Sequence, residues 1–211
     1  MTTWTCKGLV AGLGLMMILA GCTEDGGLAL DVPASGGQAA VTSTVLGDGR
    51  VALTAPTGFC IDPTTIDASG RDGFAMLALC SRLSPQTAFA TLSGQSPAVM
   101  TVTTTPWTRG DTPITARTIA DAYPDNAVAE ARSGAVPMVR AAGVPPLPGL
   151  DEIHWRGAFV VNDQLVVLGL FAPEDSRALG STGANLLGQL ARRTNAASRR
   201  LSVAGAASAD N

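Results

Sequence analysis

Ile153-His154-Trp155-Arg156-Gly157-Ala158-Phe159-Val160-Val161, followed by Asn162-Asp163-Gln164 and then Leu165-Val166-Val167-Leu168-Gly169-Leu170-Phe171, carries the clearest structural pattern in the chain. Both flanks are rich in β-branched and aromatic residues, and the polar residues between them suit a chain reversal. The segment therefore predicts a β-hairpin with arms Ile153–Val161 and Leu165–Phe171. Successive side chains of a strand point to opposite faces. Trp155, Phe159 and Val161 share one face of the first arm, and His154, Arg156, Ala158 and Val160 share the other. One face is apolar and the other mixed, so the hairpin needs cover on one side at least. The second arm is apolar at every position, which predicts a central strand covered on both sides.

Beyond the hairpin, Pro173 ends the strand and Asp175 or Ser176 can cap a helix running to about Ala197. Leu179, Gly183, Leu186, Leu187, Leu190 and Thr194 recur at intervals of three and four, a stripe to lay on the sheet. Arg192 and Arg193 stand where the helix dipole favours cations. Gly180, Gly183 and Gly188 each weaken the helix by about 1 kcal/mol on intrinsic propensity, so packing must supply its stability. Residues 199–211 read as a mobile tail.

Upstream of the hairpin the pattern is mostly β. A short strand from Val41 reaches the turn Gly47-Asp48-Gly49, and Val51–Ala55 begins another. Ala55-Pro56-Thr57-Gly58 suits a type I turn, with Pro second and Gly fourth. Phe59–Asp62 and Phe74–Cys80 read as strands around the polar loop 63–73, and Ala98–Thr105 as a further strand. Asp111 or Thr112, with Pro113 just inside, predicts a helix over Ile114–Tyr123 that Pro124 terminates. Val128–Ser133 and Pro137–Ala142 read as short strands, and Val144–Gly149 as an extended connection. Together these predict a single α+β domain over residues 41–198, an antiparallel sheet with helices packed on it.

The amino-terminal segment has a different character. Met1 to Lys7 carries the only lysine of the chain, and Leu9 to Leu19 is uncharged and apolar. A positive stretch followed by a short apolar one is the pattern of an export signal, and eleven or so residues are too few to span a bilayer. Leu19-Ala20-Gly21-Cys22 resembles the lipobox of bacterial lipoproteins. The resemblance implies that the Cys22 thiol receives a diacylglycerol, that residues 1–21 are cleaved away, and that the new amine is acylated, for instance with palmitate. Thr23 follows the cysteine where an aspartate would signal inner-membrane retention, which implies delivery to the periplasmic face of the outer membrane. The competing readings are an uncleaved membrane anchor and an ordinary signal peptide. Residues 22–40, rich in Gly, Ala, Ser and acids, then read as a tether between lipid and domain.

If that address holds, Cys6 leaves with the signal and Cys22 is alkylated. Cys60 and Cys80 then remain in an oxidising compartment, where a disulfide is expected. The alternative is a pair of buried thiols acting as small hydrophobes. The chain's formal charge is −3 and 15% of its residues are charged, with no basic cluster denser than Arg192-Arg193 or Arg199-Arg200. Nucleic acid is therefore not an expected partner. Aromatic residues make up only 4% of the chain, so the core must be built from Val, Leu, Ile and Ala.

The order of elements over residues 45–198 resembles the sheet-and-helix sandwich of the photosystem-associated PsbP and Ran-binding Mog proteins, which serve as binding or assembly accessories. The stretch Thr57-Gly58-Phe59-Cys60-Ile61-Asp62-Pro63, with a second cysteine at Cys80, is similar to a group of uncharacterised alphaproteobacterial exported proteins. Some of that group bear the label dihydroxy-acid dehydratase. Such dehydratases are several times longer and hold an iron–sulfur cluster on cysteines, and a cysteine pair engaged in a disulfide cannot ligate one.

Few residues carry recognisable chemistry. His154 is the sole histidine, so any triad or dyad needing imidazole must use it, with Asp151, Glu152 and Arg156 near in sequence. No Gly-x-Ser-x-Gly elbow, phosphate-cradling glycine loop or zinc-spaced His/Cys cluster occurs. Asp62, Asp67 and Asp72 recur every five residues, a spacing that suits turns better than the alternate-residue pattern of calcium loops. Trp107 and Trp155 offer either an exposed platform for a sugar or peptide or anchors for the core. No cofactor or metal is expected. Two functions stay open: a membrane-anchored, non-enzymatic binding or envelope-assembly lipoprotein with an envelope protein as partner, and a small periplasmic hydrolase using His154.

Overall fold

The computed structural model describes residues 40–83, 97–108, 112–123, 127–132 and 136–209, all belonging to one unit that spans Gly36–Asn211. Its strands are β1 (Ser43–Leu46), β2 (Val51–Thr54), β3 (Phe59–Ile61), β4 (Gly73–Leu79), β5 (Val99–Pro106), β6 (Ala127–Arg132), β7 (Met138–Ala142), β8 (Ile153–Val161) and β9 (Gln164–Phe171). The helices are α1 (Cys80–Leu83), α2 (Ala116–Asp121) and α3 (Ser181–Ala209). The chain is thus an α+β fold, with one seven-stranded antiparallel sheet in the order β3-β4-β5-β9-β8-β7-β6 and a two-stranded β1-β2 hairpin.

The hairpin β8-β9 sits in the middle of that order, and its second arm is the central strand. Its turn is one residue shorter than the sequence suggests. Val161 pairs with Gln164, leaving Asn162 and Asp163 alone in the loop with φ of 49° and 57°. That left-handed pair matches the twist of the flanking strands as a type I′ turn does, and Asn and Asp tolerate it. Gln164 is consequently a buried strand residue. Oriented so that its amide nitrogen faces the carbonyls of Thr105 and Arg71, at 3.0 and 3.1 Å, it ties the loop before β4 to the sheet.

One face of the sheet carries the main core. Trp155, Phe159 and Val161 of β8, Val166, Leu168 and Leu170 of β9, and Met100 and Val102 of β5 form one buried cluster with Ala184, Leu187, Leu190 and Ala191 of α3, which packs on β2, β8 and β9. Each such aliphatic side chain taken out of water contributes about 1.5–3 kcal/mol. The Trp155 indole N–H donates to the carbonyls of Leu179 and Gly180, at 3.0 and 3.1 Å, where the chain turns from a 3-10 turn at Arg177–Leu179 into α3. The helix therefore begins at Ser181, later than the capping signal at Asp175 or Ser176 implies, because Ser176 caps the 3-10 turn instead.

At its other end α3 runs past Ala197 to Ala209, through much of the stretch read as a tail. Tertiary bonds account for the first part of this extension. The β2 backbone N–H groups of Thr54 and Ala52 donate to Thr194 Oγ1 and Ser198 Oγ, at 3.2 and 2.9 Å, and both hydroxyl residues are fully buried. Asn162 Nδ2 donates to the carbonyls of Arg50 and Ser198, at 2.9 and 2.8 Å. The outer edge of the small hairpin is thereby satisfied by a helix, and Leu46, Val51 and Leu53 join the core.

Two further expectations are corrected. The turn before β3 is Pro56-Thr57-Gly58-Phe59, closed by Phe59 N–H donating to Pro56 at 3.0 Å. Gly58 stands third with φ 85°, which a type II turn requires. The six-residue α2 starts at Ala116, capped reciprocally by Thr115 and Thr118, so Pro113 lies outside it. The loop 63–73 contains a 3-10 turn at Pro63–Thr65. No helix among the described residues is long and apolar enough to cross a membrane.

Candidate functional site

The second face of the sheet is only partly covered. α2 packs toward β6, β7 and β8, and a cavity of about 270 Å³ opens between it, the segment before it and the β8-β9 hairpin. Ala158, Leu165 and Val167 of the hairpin form its floor, Ile114 and Ile119 an apolar wall, and Trp107 one end. Trp107 is held there by its backbone N–H, which donates to Asp163 in the hairpin turn at 2.9 Å. Arg156 and Tyr123 line the cavity as well. Along the strands the pairs Arg156–Gly169, Ala158–Val167 and Val160–Leu165 follow one another, which places Arg156 at the end away from the turn.

His154 is on the same face as Arg156, yet it does not line the cavity. The ring is 1% exposed and stacks on Phe171 with centroids 4.3 Å apart. Nδ1 lies 2.8 Å from the Glu152 carbonyl, which can only accept, so Nδ1 carries the proton. Nε2 is then the acceptor for Arg156 Nε–H, also at 2.8 Å. Burial pushes the imidazole below its usual range; the Glu152 carbonyl opposes that shift and the Arg156 charge adds to it. A neutral imidazole with both nitrogens engaged has nothing left to exchange with a substrate. It acts as a positioning residue for Arg156.

Arg156 is half-buried, and its guanidinium lies 5.3 Å from the Phe171 ring centroid and 5.8 Å from that of Tyr123. Gly169 is the bed on which it rests. A Cβ there would stand 3.2 Å from Arg156 Nη1 and 2.6 Å from Thr101 Oγ1. Among the described residues no carboxylate pairs with this cation, whereas Arg50 pairs with Asp163 and Arg117 with Asp121, both on the exposed surface. Sequence reasoning named Arg156 only as a neighbour of His154 and did not foresee that it, and not the imidazole, lines the cavity. Its one available signal was the i, i+2 placement with His154 on a shared strand face.

The remaining candidates separate. Cys60 and Cys80 form a disulfide, with Cα atoms 4.8 Å apart. Cys60 stands opposite Ala78 and Cys80 just beyond the end of β4, so the bridge is diagonal. Asp62 accepts from the Thr64 N–H and hydroxyl, at 2.9 and 2.7 Å. Asp67 does the same for Ser69, at 3.1 and 2.7 Å, and these bonds hold its carboxyl below the usual range. Both are turn carboxylates, Asp72 is exposed on the same loop, and no group of three His, Cys, Asp or Glu among the described residues could hold a metal ion. Trp155 is a core anchor under α3, whereas Trp107 faces the cavity on the opposite side of the sheet, so the two do not form one platform. Cys22 lies outside the described residues. No family model matches the chain, and neither a curated protein nor a solved structure is significantly similar to it.

Proposed function

We propose that this chain is an envelope lipoprotein, held by lipid on Cys22 at the periplasmic face of the outer membrane, whose domain is a non-enzymatic binding module. The cavity over β8-β9 is the observation that carries the binding reading: it is lined mainly by apolar side chains, and the sole histidine is sequestered beside it with both nitrogens engaged. An apolar concavity with a few polar groups suits holding a ligand or a partner's side chain. A hydrolase built on His154 would need a free nitrogen facing that space. The address rests on the apolar run Leu9–Leu19 and on Leu19-Ala20-Gly21-Cys22, and the Cys60–Cys80 bridge is at home in an oxidising compartment. Two or three acyl chains would hold the protein durably, at about 0.8 kcal/mol for each buried methylene.

The test is intact mass and fractionation of the protein from its native cells. A membrane-bound chain beginning at an acylated Cys22 is expected, and crosslinking in cells should recover a reproducible envelope partner. A soluble cytosolic chain still beginning at Met1 would remove the assignment.

A further inference from the structure

The cavity over β8-β9 joins two features that are unfavourable apart: partly exposed Ile114, Ile119, Leu165 and Val167, and a half-buried guanidinium with no carboxylate partner among the described residues. An apolar ligand alone would cover the first and leave the cation desolvated beside it. A small anion alone would pair the cation and leave the apolar walls wet. One molecule with a negative head and an apolar body satisfies both.

We propose that this cavity binds an amphiphilic carboxylate, with its head on Arg156 and its tail running over Ala158, Val167 and Leu165 toward Trp107. The proposal rests on reading the cavity as a binding site and adds the class of ligand. The head is assigned from the state of Arg156. Its Nε–H is spent on His154 Nε2, leaving the two Nη groups as an end-on fork that matches the two oxygens of a planar carboxylate. A single cation of this kind suits a monoanion better than a doubly charged phosphate. Stacking against Phe171 and the absence of a side chain at Gly169 hold the fork in place. The tail is limited by the floor. From Arg156 to Val160 is four residues of strand, roughly 13 Å, and a cavity of about 270 Å³ lies below the usual span of roughly 300–1,000 Å³ for larger ligands. A single medium-length chain fits those limits.

The experiment uses the full chain in phospholipid nanodiscs and, as probe, decanoate bearing a terminal diazirine, with labelled peptides mapped by mass spectrometry. Label is expected on peptides containing Ile119, Ala158 and Leu165, displaced by decanoate and roughly 10- to 100-fold less well by decanol or decyltrimethylammonium, the cost of losing a charged hydrogen-bonded pair. Arg156→Met should abolish the label. Val167→Phe, which narrows the floor and leaves Arg156 and His154 untouched, should do so too and decides the matter if Arg156→Met fails to fold. Label spread evenly over the chain, equal displacement by decanol, or undiminished labelling of folded Val167→Phe protein would overturn the proposal. A protein that takes decanoate but carries no lipid would remove only the envelope assignment; an anchored protein that takes none would remove only this one.

Discussion

Gly183 and Gly188 lie in the same helix and look equivalent on propensity, where replacing either with alanine stabilises by about 1 kcal/mol. The structure gives them opposite signs. A Cβ at Gly183 would collide with the Ala178 carbonyl oxygen, stand 2.8 Å from that carbonyl carbon and approach Leu170 Cδ2 to 3.0 Å. Two of those three atoms are backbone, so the start of α3 must move away from the 3-10 turn. That movement also strains the Trp155 indole bonds to Leu179 and Gly180. Overpacking costs about 1–3 kcal/mol and an unpaired buried N–H about 1–3, against the gain of about 1, so Gly183→Ala should destabilise by about 3 kcal/mol. A Cβ at Gly188 meets only Arg192 Nη1 at 3.3 Å and Met138 Cε at 3.4 Å, the ends of two flexible side chains. Gly188→Ala should therefore gain about 0.5–1 kcal/mol. Urea unfolding of the oxidised protein, followed by circular dichroism, measures both, and a chain of this size should show Gly183→Ala melting roughly 6–12 °C lower. Equal stability of the two variants would refute the close approach of α3 to the turn before it.

Three further outcomes are expected. Replacing both Cys60 and Cys80 with alanine opens a 20-residue separation and should cost about 3 kcal/mol in urea unfolding under non-reducing conditions; an unchanged midpoint would mean the bridge constrains nothing. Thr194→Val leaves the buried Thr54 N–H without its acceptor and should cost about 1–3 kcal/mol, with faster amide exchange in β2 as the local readout. His154 is held neutral below the unfolded imidazole value near 6.5, so the unfolded chain binds a proton that the folded one refuses. Stability from this group is complete above about pH 6.5 and is lost as pH falls toward the folded value. The melting temperature should drop between about pH 7 and 5 in the wild type and less steeply in His154→Gln; parallel slopes would place the titration elsewhere.

Most of the sheet was legible from the chain itself. The periods of β8 and β9, the unbroken apolar run of the second arm and the punctuation around Gly58 report local chemistry, and local chemistry is written in adjacent residues. The pairing of Cys60 with Cys80 was reached by counting cysteines under an expected, oxidising address, and the structure contains that bridge. Two boundaries moved because another cap nearby competed: Ser176 spends its hydroxyl on a 3-10 turn, and Thr115 takes the cap that Thr112 advertised. The third moved because a distant partner intervened: α3 is carried past Ala197 by the bond between Ser198 and Ala52 of β2.

The candidate site was the least legible part. His154 drew attention for what an imidazole can do, and the tertiary structure gave it Glu152 on one side and Arg156 on the other, with Phe171 over the ring. Which strand lies beside which, whether a glycine has room, and whether a cation meets a carboxylate depend on residues far apart in the chain. The residues by themselves were enough for most of the strands and for the existence of the long helix, whose physics is short-range. Only the packed sheet decided that Arg156 faces an apolar cavity, because burial and pairing are properties of what the fold brings together.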